Sequence, residues 1–381
     1  MDFELTAEQK DIKRAAREFA QKEFPPIARE CDQKEEFDLK VWQKACELGF
    51  VGVFIPETYG GVGLGYLDHC LITEEFWRVD PGCGQAILST TFGSEMLILF
   101  GNEEQKNKYL PPLVSGEAIM ASAVTEPDAG SDITAAVTTA NPEGNGFRIS
   151  GSKMFITNGN LAQVVLVYCL TDPQASSVHN RHSVILVETN SPGFQATKIH
   201  GKLGIRASNT AELSFKEVAV PASHLIGQPG KGFYQFMEFF NRTRLHICAQ
   251  AVGVAQGAME QALRHVKQRK QFGKTLASFQ VTQFKLAEMA TKIEAARNLY
   301  YKAAWKVDHG QVDHGLIAMA KWFSGEMAVR AVVEALQMHG GYGYIDEYDI
   351  QRFYRDVKIL EIYEGTKEME KQIVARSLLG H

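Results

Sequence analysis

At 381 residues the chain is too long for one simple core and long enough for two or three packed domains. Its 45% hydrophobic and 22% charged content is that of a soluble globular protein. A net charge of -5 argues against non-specific binding to nucleic acid or anionic membrane, both of which need a basic surface.

No apolar run reaches the roughly 18 residues that a bilayer-spanning helix needs. Met1 leads almost directly into a helix start, without a signal segment. The six cysteines are scattered with no CxxC spacing, so neither a disulfide framework nor a zinc site is expected. A reducing compartment follows: the cytoplasm of a bacterium, or the mitochondrial matrix for a processed eukaryotic form.

In chain order, the first third reads as helical. Thr6 and Gln9 form a capping-box pattern, and Ile12, Ala15, Ala16, Phe19 and Ala20 recur at helical spacing. A second helix is expected over about Leu39 to Leu48, then a glycine-rich loop at Tyr59 to Gly65. From about Met120 to Pro221 the chain is rich in Thr, Val, Ile and Ser, with frequent turn signals, which predicts a β-barrel or sandwich. Asn141 to Gly146 is expected to be a loop between strands, with buried strands at Val164 to Leu170 and Ser183 to Glu188 and a looser one at Thr210 to Val220. After the break at Ile226 to Gly232 the chain is helical again. Leu286, Met289, Ile293, Ala296 and Tyr300 step by three and four, the stripe of a bundle helix. The expected fold is a multi-domain α+β protein: an N-terminal helical domain over 1–118, a middle β domain over 119–226 and a C-terminal four-helix bundle over 227–381.

Two phosphate signatures fail. Gly273-Lys274-Thr275 resembles the end of a P-loop, but Gln268 stands where the first glycine belongs. Gly60 to Gly65 lacks GxGxxG spacing and a following βαβ unit, so a Rossmann nicotinamide site is unsupported. No histidine pair has metal-ligand spacing, most histidines sit in polar contexts, and no metal is expected.

The strongest single feature is Tyr363-Glu364-Gly365-Thr366, just before the last expected helix. A carboxylate in an otherwise apolar stretch is costly unless chemistry uses it, which makes Glu364 a candidate base. Two strand ends, Val124 to Asp132 and Met154 to Gly159, each offer hydroxyls at a turn, and the second an aromatic ring; together they suit a flat ligand. Arg269 to Gly273 and Leu336 to Gly341 add a cation, an amide and bare backbone, which suit a pyrophosphate.

Together these motifs, in this order over essentially the whole chain, resemble the acyl-CoA dehydrogenase family. The resemblance implies FAD between the β domain and the C-terminal helices, and removal of two hydrogens from the Cα–Cβ bond of an acyl-CoA. It also implies electron-transferring flavoprotein as acceptor and a homotetramer whose FAD sites are shared between neighbours. Matched by motif, Glu364 is the base, with Tyr363 and Gly365 beside it at the substrate. Arg244, Asn241 and Ser131 match residues near the CoA moiety. Thr91 and Glu95 lie in the segment from Pro81 to Gln105 that shapes the pocket floor in relatives, along with Thr90 and Phe92. That segment has no Lys or Arg, which disfavours a dicarboxylyl substrate. Ser122, Val124, Thr125, Phe155 and Thr157 match residues lining the isoalloxazine. Arg269, Phe272 and Gln280 match the group reaching a neighbour's FAD. Gln337, Gly341 and Thr366 match further FAD contacts.

Three positions depart from the family pattern. Phe155 replaces a common tryptophan, Asn241 a common aspartate, and Glu368 a usually neutral amide. The same chemistry run in reverse, as an enoyl-CoA reductase, and a non-catalytic scaffold are the alternatives.

Overall fold

The computed structural model describes residues 4–380; Met1, from which the chain is expected to run directly towards its first helix, lies outside the described residues. Seven helices come first: α1 (Ala7–Glu23), α2 (Ala28–Lys34), α3 (Leu39–Glu47), α4 (Tyr66–Val79), α5 (Pro81–Leu88), α6 (Ser94–Phe100) and α7 (Glu103–Val114). The Thr6 capping box forms as expected: Thr6 Oγ1 accepts from the Gln9 amide and Gln9 Oε1 from the Thr6 amide, both at 3.1 Å. Ala16, Phe19 and Ala20 of the α1 stripe are buried, but Ala15 is exposed, because it lies at the edge of the buried arc.

Strands follow: β1 (Met120–Ala123), β2 (Thr139–Glu143), β3 (Gly146–Thr157), β4 (Val164–Leu170), β5 (His182–Glu188), β6 (Phe194–Lys198), β7 (Thr210–Pro221) and β8 (Leu225–Ile226). They form one eight-stranded sheet in the order β6-β7-β3-β2-β4-β5-β8, with β1 parallel to β4. β4 and β5 read as continuous apolar runs because both are buried along their length. The expected loop over Asn141 to Gly146 is shorter than its composition implied. Asn141, Pro142 and Glu143 belong to β2 and pair with β3, leaving Gly144 and Asn145 as the turn.

The C-terminal part holds α8 (Gly232–Gln268), α9 (Gln280–Asp308), α10 (His314–His339), α11 (Ile350–Val357) and α12 (Lys367–Leu379). Met289, Ile293, Ala296 and Tyr300 are buried in this bundle, with Leu286 partly buried beside them. The P-loop-like Gly273-Lys274-Thr275 is a hairpin, β9 (Lys270–Gln271) paired with β10 (Lys274–Thr275). Phe272 and Gly273 form its turn, both at positive φ (54° and 79°).

Three apolar clusters fill the molecule. One joins α1, α3, α4 and the sheet. A second packs the C-terminal helices around α4 residues Leu67, Cys70 and Trp77. A third lies between α6, α7, the sheet and the first turns of α8. Among the described residues, no helix is long and apolar enough to cross a membrane.

Candidate active site

Glu364 sits in the turn between a short 3-10 segment, Lys358–Glu361, and α12, which Thr366 caps by accepting from the Met369 amide (3.4 Å). Glu364 and Gly365 both have positive φ (56° and 100°). For glutamate this conformation is unfavourable and persists only where the surroundings fix it. Glycine is required next: a Cβ on Gly365 would lie 2.1 Å from Glu370 Oε1.

The turn directs the Glu364 carboxyl at α8. Its Oε2 accepts a hydrogen bond from Thr243 Oγ1 (2.6 Å). Arg244 Nε donates to the Glu364 carbonyl oxygen (3.1 Å), and Lys321 of α10 donates to the Gly365 carbonyl. Tyr363 donates its hydroxyl to Gln250, which in turn donates to Gln85 (2.9 Å). Asn241 is buried, with its Oδ1 3.5 Å from a terminal nitrogen of Arg244.

Glu364 is half-buried, and the desolvation of its carboxyl raises its pKa above the ordinary carboxylate value. The Thr243 hydrogen bond and the charges of Arg244 and Lys321 pull the other way without cancelling the rise. A carboxylate so poised is a stronger base than one in water.

In the floor segment, Thr91 is buried in a turn and Glu95 is buried on α6. Burial pushes Glu95 up to about 7, helped by the charge of Glu364 and opposed by Arg242. His246 Nδ1 approaches Glu95 at 4.0 Å, and the His246 ring lies 4.0 Å from that of His69. Both histidines lie in dense protein, and burial lowers both, His69 to about 3. The polar surroundings expected for the histidines are therefore wrong here, since aromatic neighbours such as Phe54 enclose them. Thr90 does not line this region in the manner expected. It accepts from the Trp42 indole (3.1 Å) and donates to Ile87, so its hydroxyl serves the N-terminal core. Cations are absent from the floor segment itself, yet Arg242 of α8 comes beside Glu95; that guanidinium is held by Glu238 (2.5 Å).

The two strand ends meet at the sheet. The fully buried Lys153 ammonium donates to the Val124 carbonyl (3.0 Å) and to Glu126 (2.9 Å), and the Met154 amide to the Thr125 carbonyl (2.8 Å). A bulge between Lys153 and Ile156 turns Phe155 outward at positive φ, leaving the residue 65% exposed. Ser122 Oγ is buried without a partner among the described residues, Thr125 and Thr157 are partly buried, and Ser131 is exposed.

Arg269, Gln337 and Gly341 come together in a groove of about 570 Å³ also lined by Gln271, Gly340 and Tyr342. The Arg269 guanidinium lies over the Tyr342 ring at 5.3 Å. Phe272 and Gln280 lie outside this groove; Phe272, at the hairpin tip, is 92% exposed. These features fit FAD: an unpartnered hydroxyl and an open ring for a flat group, and a cation with bare glycine backbone for a pyrophosphate.

Sequence reasoning missed Lys321 and Glu370, which complete the charges around the Glu364 turn. A lone charge in the otherwise apolar run from Leu316 to Phe323 was the available signal for Lys321; Glu370 had none beyond its place on α12.

A half-buried carboxyl beside two cations and a cradle for a flat cofactor suit an oxidoreductase. The described models of the acyl-CoA dehydrogenase N-terminal, middle and C-terminal domains match residues 6–117, 121–218 and 230–379. The acryloyl-CoA reductase (NADH) of Anaerotignum propionicum is 40% identical over 100% of this chain and 96% of its own. Butyryl-CoA dehydrogenase from Megasphaera elsdenii superposes with a TM-score of 0.95 at 38% identity, covering 100% of both chains. A chain from a structure reported for the electron transferring flavoprotein of Acidaminococcus fermentans gives 0.97 at 41%, again over 100% of both. The chain belongs to the acyl-CoA dehydrogenase family. It is an FAD-dependent oxidoreductase that acts on CH–CH bonds.

Proposed function

We propose that the enzyme removes two hydrogens from Cα and Cβ of an acyl-CoA thioester, with Glu364 as the base. The observation that carries this reading is the Glu364 carboxyl itself. It is raised by burial and bonded at one oxygen by the Thr243 hydroxyl, a partner that cannot act as a carboxylate base. FAD supplies the hydride acceptor when bound. Glu364 takes the α-proton, and Arg244 and Lys321 hold the carbonyls of the turn so that the carboxyl keeps one direction. Water exclusion by the acyl chain strengthens the base further. Ser122, Val124, Thr125, Phe155 and Thr157 would hold the isoalloxazine. Arg269, Gln337 and Gly341 would hold the pyrophosphate or the adenosine half, with Thr366 serving the latter.

Electron-transferring flavoprotein is the proposed acceptor, supported by the likeness to the chain from the Acidaminococcus fermentans structure. A homotetramer is the proposed assembly, supported by the exposed Phe272 and Tyr344 rings. The cytoplasm is the proposed site of action. Arg242 is engaged by Glu238, so a distal carboxylate finds no open guanidinium there, and a neutral acyl group is favoured. The reverse reaction is the second reading, favoured by the likeness to an acryloyl-CoA reductase.

The test is anaerobic addition of butyryl-CoA and a panel of branched and cyclic acyl-CoA thioesters to the purified yellow protein. Bleaching of the flavin band by at least one member is the expected result. A flavin that none of them bleaches, but that accepts electrons and passes them to crotonyl-CoA, would assign the enzyme to the reductive direction. Absence of flavin would overturn the reading.

A further inference from the structure

Glu370, on the first turn of α12, is fully buried, and neither carboxyl oxygen receives a hydrogen bond among the described residues. An ionisable group is not left in that condition without compensation. Its compensation is electrostatic. Arg244 Nε lies 3.0 Å from Glu370 Oε1, but the single hydrogen on that nitrogen is directed at the Glu364 carbonyl. The carboxyl therefore faces the guanidinium by charge, while the guanidinium hydrogen-bonds the turn that carries the base. Lys321 is arranged in the same way, its ammonium bonded to the next carbonyl, that of Gly365. The fit is close: Gly365 has no side chain, and any Cβ there would strike Glu370.

We propose that Glu370 is a positioning residue for the base: it is the counter-charge that keeps Arg244 and Lys321 on the Glu364 and Gly365 carbonyls. This rests on the reading of Glu364 as the base. Without Glu370, two cations would share a buried space with one carboxylate, and both would move towards Glu364. The turn, already in an unfavourable backbone conformation, would lose the bonds that hold it.

The groups facing the pair come from four elements. Thr243, Arg244 and Cys248 lie on α8, Lys321 on α10, Glu95 on α6, and Tyr363 adjoins the base. Burial raises Glu370 to about 7 against the pull of Arg244 and Lys321, and Glu364 adds to the rise. Two carboxyls around one pair of cations titrate as a coupled unit. Removing one lets the other ionise at lower pH.

The test uses flavin-loaded enzyme carrying Glu370→Gln and, separately, Glu370→Asp. With butyryl-CoA, or whichever panel member bleaches the flavin, the acid limb of kcat/KM should move down by roughly one pH unit in Glu370→Gln. At its own optimum, kcat should fall roughly tenfold because the base is held less firmly. Glu370→Asp should restore part of both effects. Infrared titration of carbon-13 glutamate-labelled holoenzyme, taken as the difference from the same protein carrying Glu364→Gln, isolates the Glu364 carboxyl and needs no turnover, so it separates this inference from the reading it rests on. An unmoved acid limb, or an unmoved Glu364 band in the titration, would overturn the proposal, even if the variant melted earlier. If no acyl-CoA bleaches the wild type, the base assignment fails by itself and the infrared result decides the positioning role.

Discussion

Two groups of carboxylates drawn out of water divide this molecule, and their differences show how desolvation leads to opposite outcomes. On α4, Glu74 and Glu75 are both fully buried. Glu74 accepts from Lys13 (2.7 Å), Arg297 (3.2 Å) and the Tyr300 hydroxyl. Glu75 accepts two bonds from Arg17, each 2.7 Å, with Arg78 at 3.3 Å. At the other pole, Glu364 has one hydroxyl on its carboxyl, and Glu370 has no hydrogen bond. Burial pushes Glu74, Glu364 and Glu370 upward, yet Lys13 and Arg297 bring Glu74 below its ordinary value, while Glu364 and Glu370 stay above theirs. The number and aim of the partners decide between a staple and a base.

The contrast is tested most severely by exchanging each acid for its amide. Glu364→Gln should lower turnover by about 10²–10⁴-fold or more in a steady-state assay, with flavin retained. A carboxyl raised above its unfolded value costs stability once the pH exceeds that unfolded value, so this variant should melt no earlier than the wild type at pH 8. Glu74→Gln should do the reverse. It removes the carboxylate that Lys13 and Arg297 share, leaving Lys13 with Glu75 (3.5 Å) and Arg297 with Glu294 (2.7 Å), and should cost about 3 kcal/mol in denaturant unfolding, with kcat per folded enzyme unchanged. Because Glu74 is depressed in the folded state, its stabilisation is present above the unfolded value of about 4.3 and is lost as the pH falls through the lower folded value. The amide should flatten that part of the acid unfolding curve.

Two smaller effects sharpen the comparison. Thr243→Val removes the one hydrogen bond on the Glu364 carboxyl, which favours the ionised form. The acid limb of kcat/KM should therefore move to higher pH, and a limb that moved down or stayed fixed would remove Thr243 from the account. Arg269→Ala should reduce bound flavin per protomer after gel filtration and leave the kcat of flavin-loaded enzyme little changed. Unchanged flavin content would count against a cofactor role for that groove.

Much of this was readable in the chain because the signals were local. The Thr6 cap, the Met289 to Tyr300 stripe and the apolar runs of β4 and β5 depend on residues a few positions apart, and each element formed as read. Glu364 stood out because its apolar context is also local. The partners of the base were not legible in the same way. Lys321 and Glu370 reach the turn from separate helices, and no spacing within one segment records that approach. Arg242 shows the same limit: a floor segment without cations received one from α8. Composition also misplaced the start of the turn after β2, since Asn141 and Pro142 read as loop residues but pair with Arg148 and Phe147.

The two poles are joined by α8, and two glycines set how closely it lies on α4. A methyl group at Gly253 would come within 2.3 Å of the Glu74 carbonyl, and one at Gly257 within 2.0 Å of the Arg78 carbonyl. Thr243 and Arg244 lie on the same rod, Arg244 nine positions before Gly253, or about 13 Å along the axis. A mutation at either glycine would thus act like a wedge under a beam, tilting the far end where the base is aimed. Drift in the apparently idle middle of the bundle is therefore a route by which turnover could decay while every residue that touches substrate stays the same.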